Sequence, residues 1–132
     1  MANDPHPAKN AKASSKPEGP VRTAYFLELR VYRTARAIGD FAAAWRHLER
    51  AHIVAQPRFW LHMGSHITML AFAFSRRDMR EMSGQLLRIA LVPLGALTGR
   101  LPTGNTGRAR ISAFAPMPVP DDLQTYVRQD AP

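Results

Sequence analysis

Apolar side chains recur at helical spacing in four consecutive segments of the chain. The pattern is clearest in the second segment, at about 41–55, where spacings of three and four put one set of residues on a single face: Phe41, Ala44, Leu48, Ala51 and Ala55. Similar stripes predict helices over about 25–37, over about 58–74, and from 79 to 89 or 91. The sequence therefore predicts an all-α fold of about four helices.

Short polar breaks separate these segments and predict where the helices begin. A Gly-Asp pair at 39–40 precedes the second helix, Gln-Pro at 56–57 follows it, and Arg-Arg-Asp at 76–78 precedes the fourth. An aspartate side chain can accept a hydrogen bond from a free N–H group in the first turn of a helix. Asp40 and Asp78 are therefore expected to cap the second and fourth helices.

The second and fourth helices align with each other at an offset of 38 residues, which predicts two antiparallel helical hairpins. Within the first unit, Gly39, Ala44, Leu48 and Ala51 resemble the packing positions of a tetratricopeptide repeat. Such repeats usually occur in arrays of about three or more. A single pair is therefore expected to use this packing geometry within one compact domain.

The composition changes at both ends of the helical region. Residues 1–20 contain no run of apolar side chains and are predicted to be a disordered tail. Pro93 and Gly95 are expected to end the fourth helix, and the glycine- and proline-rich segment beyond them predicts an extended C-terminal coil across the helices. The expected single helical domain spans 21–124, followed by a flexible C-terminus at 125–132.

The formal net charge of +8 would suit a polyanionic partner, but its distribution argues against nucleic-acid binding. All three lysines lie within residues 1–20, and the rest of the chain uses arginine with much alanine, a bias that a GC-rich genome produces without selection for binding. Nucleic acid is therefore not the expected partner. A protein partner, a second copy of the chain or peripheral contact with a membrane is compatible with the basic, apolar composition.

The sequence also excludes several classes of protein. It has no apolar run typical of a secretory signal, and no stretch approaches the roughly 20 apolar residues of a membrane span, so a cytoplasmic protein is expected. Cysteine is absent, which excludes disulfides, thiolate metal sites and cysteine nucleophiles. No serine lies in the context of a nucleophile elbow.

Four of the five histidines fall between residues 47 and 66. His62 and His66 are four residues apart on one helix face, and Glu49 and His52 form a Glu-x-x-His motif. If the second and third helices pack antiparallel about their connecting turn, His52 lies level with His62. Glu49, His52, His62 and His66 are therefore predicted metal ligands, with His47 as a further candidate. Nitrogen and carboxylate donors fit iron, zinc, copper or nickel, and haem ligation is a further option.

The same residues allow two other interpretations. His52 and His66 can be hydrogen-bonded core or interfacial side chains, with Glu49 paired to Arg46, Arg50 or Arg76. One histidine can instead serve as an acid–base catalyst. The sequence therefore leaves open whether the protein is an enzyme, and the alternative function is a helical protein-interaction module without a cofactor.

The segment His-Leu-Glu-Arg-Ala-His at 47–52, the two later histidines and a Gly-Asn-Thr-Gly loop at 104–107 resemble an uncharacterised family of small bacterial proteins, a domain of unknown function. The similarity covers about 22–124 and implies no activity. It implies that the positions to examine are those on which the family motif falls: Glu49, His52, His62, His66, Gln85 and Asn105.

Overall fold

The computed structural model describes residues 19–128, and over this range the chain contains helices and coil but no strand. Its four long helices are α1 (Pro20–Ala37), α2 (Phe41–Ala55), α3 (Phe59–Ser75) and α4 (Met79–Thr98). A coil follows α4 and leads into a 3₁₀ turn (Asp121–Leu123) and helix α5 (Gln124–Arg128). The all-α prediction is confirmed. The predicted tail, as far as residue 18, and residues 129–132 lie outside the described residues.

The predicted caps of α2 and α4 are confirmed. Oδ1 of Asp40 accepts a hydrogen bond from the Ala43 amide at 2.9 Å, and Oδ1 of Asp78 accepts one from the Glu81 amide at 3.0 Å. Each bond satisfies an N–H group that has no partner within its own helix, a contribution of about 1 kcal/mol. The caps fix the start of the two helices and, with it, which side chains each helix turns inward.

Helix α4 is longer than predicted, because it continues through Pro93 and Gly95 to Thr98. An interior proline removes one helical hydrogen bond and costs about 3 kcal/mol, which is why an earlier end was expected. Packing offsets that cost. Val92 is buried, and a methyl group on Gly95 would come within 2.6 Å of the Leu101 side chain, so the coil lies directly against the last turns of α4. The helix ends at Gly99, which has a φ of 67°.

Helix α5 has no counterpart in the sequence prediction, which placed a flexible C-terminus from residue 125. Leu123 is buried, and Tyr126 and Val127 pack against the core with partial burial. These three residues are spaced at three and four, so even a short helix can present an apolar face to the domain. The C-terminal segment therefore packs on the domain as far as Arg128.

The core lies where α1 packs along α2, α3 packs along α4, and α2 contacts α3. Phe72 of α3 is fully buried at its centre, with the rings of Tyr32, Phe41 and Trp45 within 4.8–6.2 Å of its own. Burial of several aromatic side chains is a large apolar contribution to stability. This core fixes α2 against α3.

A tetratricopeptide-like arrangement of the helices stays a prediction. Within residues 19–128, no helix combines the length and the hydropathy needed to cross a bilayer.

Candidate metal centre

Three histidine side chains from two helices converge beside this core. His52 lies on α2, and His62 and His66 lie one turn apart on α3. Nε2 of His52 is 3.0 Å from Nε2 of His62 and 3.2 Å from Nε2 of His66. All three residues are at most 4% exposed, and each offers a ring nitrogen within 4.8 Å of the others. The level placement of His52 and His62 across the turn, predicted from the sequence, is thus present in the structure.

The hydrogen bond at the far side of His52 fixes which of its nitrogens carries the proton. Nδ1 of His52 lies 2.8 Å from the backbone carbonyl oxygen of Asn105. A carbonyl oxygen can only accept, so Nδ1 must donate. In the neutral ring, Nε2 of His52 therefore has no hydrogen and directs a lone pair at the other two histidines.

The same argument holds for His66 through the side-chain amide of Gln85. The amide nitrogen of Gln85 donates to Oε1 of Glu81 and to the Gly107 carbonyl, both at 2.8 Å, which uses both of its hydrogens. Its oxygen lies 2.8 Å from Nδ1 of His66 and must accept. Nε2 of neutral His66 therefore also directs a lone pair into the cluster.

These assignments leave two lone pairs facing each other at 3.2 Å, on His52 and His66, with no hydrogen between them. Nε2 of His62 can donate one hydrogen to His52, but its Nδ1 is buried and has no hydrogen-bond partner within residues 19–128. Buried polar groups normally have partners, because leaving one unpaired costs about 1–3 kcal/mol. The arrangement is favourable when a cation lies among the three Nε2 atoms and accepts all three lone pairs.

A proton is a poor candidate for that cation. Burial, and then the neighbouring His66, lowers the pKa of His62 to about 3, and burial lowers the pKa of His66 to about 4. Burial, with the nearby His66 and His62, also lowers the pKa of His52 well below its usual value. All three imidazoles are therefore neutral near pH 7, which is the form that binds metal ions.

The coil after α4 is shaped around His52. Its residue Asn105 is 2% exposed, donates from its side chain to the carbonyls of Ser112 and Ala115, and accepts from the Gly107 amide. These three bonds hold the coil in a closed loop whose Asn105 carbonyl points at His52. The side chain of Gln56, the residue that follows α2, donates to the Asn105 and Pro102 carbonyls and accepts from the Gly104 amide. The coil is thus fastened to the end of the helix that carries His52.

Two glycines of the Gly-Asn-Thr-Gly loop are required by this geometry. Gly104 has a φ of 77°, and a Cβ there would lie 1.9 Å from the carbonyl oxygen of Met117. Gly107 has a φ of 81°, and a Cβ there would lie 2.9–3.0 Å from three atoms of the His52 ring. Glycine tolerates both the backbone conformation and the close approach. The interpretation of this segment as an ordered coil over the helices fits the structure, and the coil also holds a site residue.

Helix α4 supplies the polar support on the other side of the cluster. Glu81, Gln85 and Arg88 lie on one buried face of α4. Oε1 of Glu81 accepts from Gln85 and from the Ala109 amide, and Oε2 lies 3.2 Å from Nε of Arg108. Metal-binding histidines characteristically donate their second ring N–H to such outer groups, which fixes the orientation of the ring.

Two of the predicted ligands lie outside the cluster. Oε1 of Glu49 accepts a hydrogen bond from Arg108 at 3.0 Å, and the pKa of Glu49 is raised mainly by burial. Nδ1 of His47 lies 2.7 Å from a carboxylate oxygen of Glu28, on the side of α2 that faces α1. The structure therefore brings together His52, His62 and His66 but neither Glu49 nor His47. An intervening arginine explains the position of Glu49.

A cavity of about 380 Å³ opens next to the three histidines. Its walls come from α4 and the coil and include one buried cation, Arg88. The walls are otherwise mostly apolar, through the side chains of Leu91, Val92, Leu94, Leu101, Pro102 and Phe114. Cavities of about 300–1,000 Å³ are typical of small-molecule sites. The histidine cluster is thus buried and borders a space that a ligand can occupy.

Sequence reasoning from the residues alone missed the residues that orient the histidines. The family resemblance points to Gln85 and Asn105, but no pattern in the sequence points to Gln56 or Gly107. A usable signal was present for α4, since Glu81, Gln85 and Arg88 are spaced at four and three and so form a polar row on one face of a helix. No comparable periodic signal exists in the coil.

Comparison with known proteins gives a family without an activity. No curated protein and no solved structure matches the chain. A family-wide sequence profile, described as Protein of unknown function (DUF3703), matches residues 20–127, which include every residue of the histidine cluster and of its hydrogen-bonded support. The chain therefore belongs to the family of proteins of unknown function designated DUF3703.

Proposed function

We propose that this protein binds one transition-metal ion through Nε2 of His52, His62 and His66. The observation that carries the proposal is the pair of lone pairs on His52 and His66, which the carbonyl of Asn105 and the amide of Gln85 hold face to face at 3.2 Å. A cation bound to both nitrogens converts this repulsion into two bonds. Nitrogen donors of this type suit zinc, copper, iron or nickel.

The donor set favours a single ion over a haem. A haem iron takes at most two axial ligands, which lie on opposite faces of the macrocycle. Here three nitrogens converge from one side, and each lies close to the other two. Three protein ligands beside a cavity also match the pattern of zinc sites that keep one position for water or substrate. In such sites the ion acts as a Lewis acid or lowers the pKa of a bound water.

The alternative, in which the histidines are only core side chains, accounts less well for the contacts. Buried structural histidines are expected to pair a donor with an acceptor, because an unpaired buried group costs stability. The His52–His66 contact instead joins two acceptors with no hydrogen between them, and a bound cation would remove this repulsion. A chain selected for stability alone would gain by replacing one of these residues with an apolar side chain of similar size.

Elemental analysis of protein purified without a histidine tag tests the proposal. We expect about one metal ion per chain, and loss of that ion in the double variant His62→Ala/His66→Ala, with helical circular dichroism retained. Metal-free wild-type protein that takes up no Zn²⁺, Cu²⁺, Ni²⁺ or Fe²⁺ on titration would overturn the proposal.

Matched controls separate the cluster from the other predicted ligands. His47→Gln and Glu49→Gln each remove a side chain that the sequence predicts as a metal ligand. In the structure His47 is hydrogen-bonded to Glu28, and Glu49 is hydrogen-bonded to Arg108. Both variants should bind the metal with wild-type stoichiometry and an affinity within about threefold of wild type. A loss of metal in Glu49→Gln would mean that the carboxylate leaves Arg108 to bind the ion, and it would refute the three-histidine assignment.

A second candidate function is self-association through α3. Trp60, Ile67 and Phe74 recur at intervals of seven and are 81%, 53% and 70% exposed, so they form an apolar row on the outside of the helix. Sedimentation velocity of the wild type and of a Phe74→Lys variant tests it. A concentration-dependent dimer that the variant weakens would support it, whereas a monomer at all concentrations would refute it.

A further inference from the structure

We infer that the cavity beside the three histidines binds a small amphipathic carboxylate, with its carboxylate on the metal ion and its apolar body along α4 and the coil. The inference rests on the proposed metal site and specifies the class of ligand that this site takes. Three features of the cavity support it: its place next to the histidine nitrogens, its apolar walls and its buried arginine.

The position and size of the cavity suit a ligand of several carbon atoms. His52, His62 and His66 form one end of the lining, and Leu94, Leu101 and Phe114 belong to the walls. A volume of about 380 Å³ is far larger than a bound water needs. A ligand that coordinates the ion at this end therefore has room to extend its remaining atoms between α4 and the coil.

The walls select for an apolar body. Val92 is buried, and half of the other wall residues that α4 and the coil contribute are aliphatic or aromatic: Leu91, Leu94, Leu101, Pro102, Ala113 and Phe114. Leu94 and Phe114 are 58% and 72% exposed although they line the cavity. An apolar ligand between them would remove this surface from water, at about 25 cal/mol for each Å².

Charge selects the head group. Arg88 is 6% exposed, lines the cavity, and donates to the carbonyls of Arg108 and Ile111. Within residues 19–128, Glu81 is the acidic group near enough to influence Arg88, and its carboxylate is ion-paired with Arg108 at 3.2 Å. Three neutral imidazoles add no negative charge. A divalent ion at the histidines would therefore place two cationic groups at one end of an apolar cavity, and an anion is the complementary head group.

A carboxylate meets both requirements, because its oxygens can bind a metal ion and accept from a guanidinium group. Simple inorganic anions neutralise the positive charge but leave the apolar walls in contact with water. Neutral alcohols with a chain of the same length cover the apolar walls but leave the two positive groups unneutralised. These differences allow each part of the inference to be tested separately.

The test is calorimetric titration of Zn²⁺-loaded protein with acetate, butanoate, hexanoate and octanoate, and with 1-octanol. We expect affinity to rise about fourfold for each added methylene, or ~0.8 kcal/mol, until the cavity is full. Octanol should bind at least about tenfold more weakly than octanoate. Metal-free protein should bind octanoate more weakly than the Zn²⁺-loaded form.

Two variants of the cavity lining and one control variant locate the binding. Ala113→Trp adds a large side chain to the cavity lining and should abolish the dependence on chain length, whereas Leu97→Trp, on the exposed side of α4, should leave it unchanged. Arg88→Met should lower octanoate affinity at least about tenfold. None of these substitutions replaces a histidine, so each variant should still bind one Zn²⁺ ion per chain. Measuring this stoichiometry verifies that the variant is intact.

The possible outcomes separate this inference from the proposed function. If Zn²⁺ binds but the carboxylates bind weakly and without dependence on length, the ligand class is wrong and the metal site stands. Equal octanoate affinity with and without Zn²⁺ would overturn the placement of the carboxylate on the ion. If the protein takes up no metal at all, both the proposed function and this inference fail.

Discussion

We expect the metal-free protein to lose stability as soon as the pH falls below about 6.5, well above the pKa values of most carboxylates. Burial holds the pKa of His62 at about 3 and that of His66 at about 4, and it also depresses the pKa of His52. In the unfolded chain each pKa returns to about 6.5. Below that pH the unfolded state binds more protons than the folded state, so stability is fully present above about pH 6.5 and is lost as the pH falls toward the folded values.

The size of the effect follows from the pKa differences. One pH unit below the unfolded pKa costs about 1.4 kcal/mol for each histidine that stays neutral in the folded state. At about pH 5, His62 and His66 together should have lost about 4 kcal/mol, and His52 adds to this loss. Small domains have about 5–15 kcal/mol in total, so much of the stability should be gone before most carboxylates titrate.

Urea unfolding in the presence of a chelator, followed by circular dichroism between about pH 7 and about pH 5, measures this loss. The double variant His62→Gln/His66→Gln should lose most of the pH dependence, and His47→Gln, which removes a histidine outside the cluster, should retain it. A free energy of unfolding that is the same at both pH values in the wild type would refute the reasoning, because the histidines would then be hydrated and not packed against one another.

Further predictions concern the groups that hold the histidines in place. Gly107→Ala should lower Zn²⁺ affinity at least about tenfold, because its Cβ would contact the His52 ring. Gly99→Ala is the control and should cost only stability, since Gly99 also has a positive φ but a Cβ there meets no atom of the described residues within 4 Å. Equal Zn²⁺ affinities of the two variants, measured in competition with a chromophoric chelator, would contradict this. Gln85→Leu removes the acceptor of His66 and should weaken Zn²⁺ binding about 10–100-fold, with unchanged affinity as the contrary result in the same assay. Since burial keeps the imidazoles neutral, the Zn²⁺ affinity of the folded protein should stay constant from about pH 7 to about pH 5. A steep decline in affinity that begins near pH 6.5 would show that the ligands titrate as exposed histidines do.

The sequence predicted the helical parts of the site better than the parts formed by the coil. Asp40 and Asp78 could be identified as caps because their effect is local, within one turn of helix. The level placement of His52 and His62 followed from counting residues on each side of a short turn. By contrast, the contacts of Asn105 and Gly107 with His52 join residues about fifty positions apart, through a segment that has no periodic pattern. Nothing in the local sequence specifies such contacts.

At two positions the structure differs from the expected arrangement, because tertiary packing competes with local chemistry. Glu49 lies three residues before His52 and was expected to turn toward it, but Arg108 of the distant coil lies between Glu49 and Glu81 and pairs with both. Pro93 was expected to end α4, but the coil packs on the turns that follow it. In both cases the deciding residue belongs to the segment whose path the sequence could not predict.

The central claim is that one metal ion is held by three Nε2 atoms, and anomalous diffraction from crystals of the metal-loaded protein tests it most directly. We predict one anomalous peak per chain, about 2.0–2.1 Å from Nε2 of His52, His62 and His66, with Nδ1 of His52 still donating to the Asn105 carbonyl and Nδ1 of His66 to Gln85. Metal-saturated crystals without a peak among these nitrogens, or with the ion on Glu49 or His47, would contradict the claim.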